Sequence, residues 1–163
     1  MTRAALLACF LAVIASLPPS PAAFFPGVRL TPDELAAREE KAGQDPLKLL
    51  LLSGMAEDSA ARRLRQQVHK ILSGERKTAT AAELNARADR MAAILPSIIR
   101  SDKEALEVLG PPARVSRQIL FRRYVELWTY ETPLPLLVEF DFRKGQDAHL
   151  LAAQVNRSKK PNY

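Results

Sequence analysis

Apolar residues recur at helical spacing through the first two thirds of the chain and at every second position near its end. Ala61, Leu64, Val68 and Ile71 fall three, four and three apart; Leu84, Ala88, Met91, Leu95 and Ile98 fall four, three, four and three apart. Each set makes one apolar stripe on a helix, and the two stripes predict an antiparallel helical pair. Pro96 lies inside the second stripe, where it removes an N–H and predicts a kink or break.

Start and stop signals divide this region into helices. Thr31-Pro32-Asp33-Glu34, Thr80 to Glu83 and Ser101 to Glu104 each read as a capping box, in which hydroxyl and carboxylate satisfy each other's backbone N–H. Asp45-Pro46 opens another helix, and Asp58 or Ser59 a further one. Gly43, Gly54, Gly74 and Gly110 mark the stops.

After Gly110 the period falls to two. Val115 to Phe121, Tyr124 to Tyr130, Leu136 to Phe142 and Leu150 to Val155 read as strands, although Arg117 to Leu120 also fits a helix. Thr132-Pro-Leu-Pro135 and Lys144-Gly-Gln-Asp147 supply turns. Helices followed by strands predict an α+β fold. A leader and helical segment (23–100) precedes one further helix and a three- to four-stranded antiparallel sheet (101–156), with a basic tail over 157–163.

The first residues have a different character. Arg3 precedes an apolar run from Ala4 to Leu17, then Pro18 and Pro19, then small residues before Ala23. This is the layout of a secretory leader (1–22), because the run is about 14 residues and a spanning helix needs about 20. Leu6-Leu7-Ala8-Cys9 also resembles a lipid-attachment box, but it sits inside the apolar run instead of closing it. The expectation is therefore export to a periplasm or beyond, with a lipid-modified Cys9 or an uncleaved anchor as alternatives. Cys9 is the one cysteine in 163 residues, so a chain cut after Ala22 has no disulfide and no thiol chemistry.

Candidate chemistry is sparse. His69 and His149 lack any metal-ligand spacing, there is no nucleophile elbow, and six glycines give no phosphate-cradling loop. No catalytic residue, metal or cofactor is expected. Glu139 and Asp141 share a strand face, but the alternation of Leu136, Val138, Phe140 and Phe142 puts the acids on the wet side.

Two features suggest binding. The formal charge of +6 concentrates partly in Arg62, Arg63, Arg65, Lys70, Arg76 and Lys77, so the helix carrying them is either a solvated face or a module for a membrane surface or anionic polymer. Arg122 and Arg123 adjoin Tyr124, Glu126, Trp128 and Tyr130, which share one strand face. That row is either an open surface for a partner protein or carbohydrate, or a packing face with Glu126 at its edge. Arginine-aromatic mixtures also bind single-stranded nucleic acid, but export and the lack of an RNA-recognition motif argue against it.

Leu106-Glu107-Val108-Leu109-Gly110-Pro111-Pro112, Trp128-Thr129-Tyr130 and Leu137-Val138-Glu139-Phe140 together resemble the BamE/SmpA/OmlA-like envelope domain. The resemblance covers about Ser101 to Val155. It implies a helix feeding an antiparallel sheet, and a non-catalytic, protein-binding role in the bacterial envelope. The segment from Thr31 to Arg100 has no counterpart in that short domain. A small periplasmic hydrolase using Glu139, Asp141 or a histidine is the enzymatic alternative.

Overall fold

Local capping chemistry sets most of the helix boundaries. In the computed structural model, which describes residues 29–120, 123–141 and 148–157, α1 (Pro32–Ala42) begins on a complete capping box. The Thr31 hydroxyl accepts the Glu34 N–H (3.4 Å), and Glu34 Oε2 accepts the Thr31 N–H (3.0 Å). Asp45 caps α2 (Pro46–Met55) by accepting from the N–H groups of Leu47 and Lys48. α3 (Asp58–Glu75) follows, and Thr80 with Glu83 closes a second full box at the start of α4 (Ala81–Ile98).

The cap of α5 (Asp102–Leu109) departs from expectation. Ser101 accepts the Glu104 N–H (3.3 Å), but Glu104 Oε2 accepts from Arg100 instead of Ser101 (2.7 Å). Here the stretch before α5 is extended and pairs with the last strand. Pro96 does not break α4, which continues to Ile98. A proline this near a helix end forfeits few bonds, and the Ile99 N–H still reaches the Leu95 carbonyl (2.8 Å).

Four antiparallel strands complete the fold in the order β1 (Arg114–Leu120), β2 (Arg123–Thr129), β3 (Leu136–Asp141) and β4 (His149–Val155). The fold is α+β. Leu136, Val138 and Phe140 point inward and are fully buried, whereas Leu137, Glu139 and Asp141 are half-buried on the opposite face. Phe142, the Lys144–Asp147 turn and the leader over 1–22 lie outside the described residues, as does the tail beyond Arg157.

The two apolar stripes are buried, but chiefly not against each other. α3 packs on α2 and α5, while α4 packs on β4 and α2. A stripe records that a face is covered; it does not record by what. A single apolar cluster joins Leu49 and Leu50, Leu64 and Val68, Met91 and Leu95, and Trp128, Val138 and Phe140, so helices and sheet share one core.

The sheet edges differ. At β4 the Leu150 N–H donates to the Arg100 carbonyl (3.0 Å) and the Asp102 N–H to the Ala148 carbonyl (3.3 Å), which closes the start of that strand. Among the described residues nothing pairs with the outer side of β1.

Candidate partner-binding surface

The pleat of β2 turns Glu126 and Trp128 to one face, with Tyr130 just beyond the strand; all three are buried, and Trp128 and Tyr130 join the core cluster shared with the helices. Their exposures are 8%, 7% and 0%. Trp128 lies opposite Val138 and Glu126 opposite Phe140, and the Trp128 and Phe140 rings meet at 4.7 Å with a 55° tilt. The open-face alternative therefore fails for these residues, and the row is packing.

Glu126 belongs there because both carboxylate oxygens have donors. Trp128 Nε1–H donates to Oε1 (2.7 Å), and Arg117 Nε–H, reaching in from β1, donates to Oε2 (2.9 Å). Spacing of two on a strand lets the carboxylate satisfy an indole N–H that would otherwise be stranded.

Tyr130 is the exception to this pairing. Its hydroxyl is buried with no hydrogen-bond partner among the described residues, and burial pushes its pKa well above the usual phenol range. Because an unsatisfied buried group costs about 1–3 kcal/mol, Tyr130→Phe should keep or raise stability by up to about 1 kcal/mol in urea unfolding. A clear loss would mean that the hydroxyl is bonded.

The row emerges at its other end. Tyr124 is 59% exposed, and its register partner Ile119 on β1 is 67% exposed. Val115, opposite Trp128, is 45% exposed, and Arg117 stands between the two β1 apolar residues. Arg114 and Arg123 are exposed nearby, whereas Arg122 lies outside the described residues. The outcome is an exposed apolar pair, Ile119 with Tyr124, and Val115 farther along beyond Arg117, on an edge strand whose outer side pairs with none of the described residues.

Val115 and Ile119 were not among the residues singled out from sequence. The strand bounds read from sequence, Val115 to Phe121 and Tyr124 to Tyr130, would pair Ile119 with Glu126, whereas the observed register sets Ile119 beside Tyr124 and Val115 beside Trp128.

No family model matches the chain, and neither a curated protein nor a solved structure matches it.

The basic helix has a different use. Arg63 forms a forked pair with Glu39 (2.8 and 2.7 Å), and those hydrogen bonds hold the Glu39 carboxyl below its usual range and raise the Arg63 pKa. The stability this adds is present above the unfolded carboxyl's pKa and is lost as pH falls through the lowered folded value. Arg65 is buried, 2.6 Å from Glu107 and 3.6 Å from Glu104, while Arg62 takes the other Glu107 oxygen at 3.0 Å. Arg76 donates to the Glu131 carbonyl. These arginines tie α3 to α1, to α5 and to the turn after β2.

The histidines and strand acids are dispersed. His69 Nδ1–H donates to the Val108 carbonyl (3.2 Å), so it caps the end of α5 from α3. His149 is exposed at the start of β4, opposite Asp141 in the register, and Glu139 lies two residues along from Asp141. No group of three or more potential metal ligands occurs among the described residues.

Proposed function

We propose that this chain is an exported, non-catalytic binding protein of the bacterial envelope, and that it engages a partner protein through the β1–β2 end of its sheet. One observation carries the reading: Val115, Ile119 and Tyr124 are exposed together on and beside an edge strand, while the rest of the aromatic row is used in packing. Aromatic residues and arginine are enriched where proteins meet, and an unpaired edge can accept an added strand. With Arg114 and Arg123 at the rim, the complementary segment is extended and alternates apolar with acidic residues.

Export is supported by the Arg3, Ala4–Leu17 and Pro18-Pro19 pattern. The likeness of Leu106–Pro112, Trp128–Tyr130 and Leu137–Phe140 to the BamE/SmpA/OmlA-like domain points the same way.

Photo-crosslinking in cells tests this reading. A photoreactive residue at position 119 or 124 should give a discrete protein adduct, and one at Gln154, exposed on β4, should not. Ile119→Asp should abolish the adduct from position 124 while shifting stability by no more than about 0.5 kcal/mol, as for an ordinary surface change. Equal adducts from all three positions, or an adduct indifferent to Ile119→Asp, would remove the surface from consideration.

A further inference from the structure

A groove between α1 and α3 combines an apolar floor with a position at the point where the chain enters the fold. It encloses about 290 Å³. Leu30 and Leu35 are buried in it, exposed Ala36 and half-buried Ala60 line it with them, and the forked Glu39–Arg63 pair joins one helix to the other. Helical spacing produces both walls: Leu35, Ala36 and Glu39 follow at steps of one and three on α1, and Ala60 and Arg63 stand three apart on α3.

The charges here are already matched. Glu39 and Arg63 satisfy each other, and the other polar residues of the lining, Glu57 and Ser59, are exposed at the start of α3. Small side chains beside two buried leucines leave a recess suited to an apolar occupant.

The path of the chain supplies that occupant. Leu30 lines the groove, and its N–H donates to the Met55 carbonyl (3.1 Å), which fixes the entering backbone there. Just upstream the sequence reads Ala23-Phe24-Phe25-Pro26-Gly27-Val28, a stretch outside the described residues that follows the leader over 1–22. From Phe25 to Leu30 the chain spans at most about 18 Å, so both rings stay within reach of the groove. Pro26 and Gly27 occupy the second and third places of Phe25-Pro26-Gly27-Val28, the signature of a type II turn, which reverses the chain. A reversal there carries the rings back toward Leu30.

We propose that Phe24 and Phe25 seat in the α1–α3 groove and strap the segment ahead of α1 across both helices. Each ring removes apolar surface from water when seated, and the short connection makes the contact intramolecular. The strap uses no residue of 1–22 and none of the β1–β2 surface, so it stands or falls separately from the leader and from the proposed partner site.

Thiol pairing in the full chain tests the proposal, with Cys9→Ser in every cysteine variant so that only introduced thiols are present. Phe25→Cys with Ala36→Cys should lose both thiols under mild oxidation of the folded protein, since a disulfide needs its two Cα atoms within about 7 Å. Phe25→Cys with Ala93→Cys, whose second position is exposed on α4, should keep them. Chymotrypsin gives a second readout with both rings in place. Ala36→Arg, which fills the groove, should speed cleavage after Phe24 by roughly tenfold over wild type and leave cleavage at other sites unchanged. Thiols kept in both cysteine pairs, or lost equally from both, would overturn the proposal. Equal cleavage after Phe24 in wild type and Ala36→Arg would also overturn it, leaving the groove to a segment of another protein.

Discussion

Replacing Gly110 with alanine should destabilise the fold by about 2–4 kcal/mol, because backbone strain and a steric clash act together. Gly110 closes α5 with φ 74° and ψ −165°, a region that essentially only glycine occupies. An added Cβ would lie 2.9 Å from His69 Cε1. The ring cannot retreat freely, because Nδ1–H is bonded to the Val108 carbonyl at 3.2 Å. His69→Ala alone should cost about 1 kcal/mol for the lost bond. The double variant should be more stable than the sum of the single effects implies, since the clash disappears while the backbone strain remains. Urea unfolding of the four proteins measures this. Gly110→Ala within about 1 kcal/mol of wild type, below the combined cost of strain and clash, would contradict the account.

The second large effect is at Glu126. Glu126→Ala should cost about 2–3 kcal/mol, since it strands the Trp128 indole N–H in the core and releases Arg117. Glu126→Gln keeps one oxygen for the indole and should cost less than half as much. Arg117→Ala should cost at most about 1 kcal/mol, because its side chain is 69% exposed and the pair is screened. Chemical denaturation followed at Trp128 ranks the three. If Arg117→Ala proved costlier than Glu126→Ala, the carboxylate's main task would not be the indole.

Features set by near neighbours were readable from the sequence. The boxes at Thr31 and Thr80 need only residues three positions apart, and both form. The alternation of β3 placed Leu136, Val138 and Phe140 inside, and they are fully buried. At Ser101 the same logic was half right, because β4 pulls the preceding backbone into an extended bridge.

Long-range partners were not readable. Arg65 and Glu107 are 42 residues apart, so within a row whose Arg62, Arg63, Lys70, Arg76 and Lys77 do form an exposed face, the burial of Arg65 as a link between α3 and α5 was not foreseeable. Glu126 among aromatic residues suggested exposure, and only the side-chain geometry reveals that the indole of Trp128 is its donor. Tyr124, in the same row, is exposed at the Arg123 end of β2.

The proposed binding surface lies at the outer end of an aromatic row whose inner residues, Trp128 and Tyr130, are packed inside. Trp128 is the only tryptophan in the chain, so its fluorescence reports on that row without interference. Iodide and acrylamide quenching of the native protein should find a blue-shifted emission that iodide barely touches, moving to the free-indole value only on unfolding. Emission already at the free-indole position, quenched by iodide in the folded protein, would put Trp128 on an open face and contradict the account.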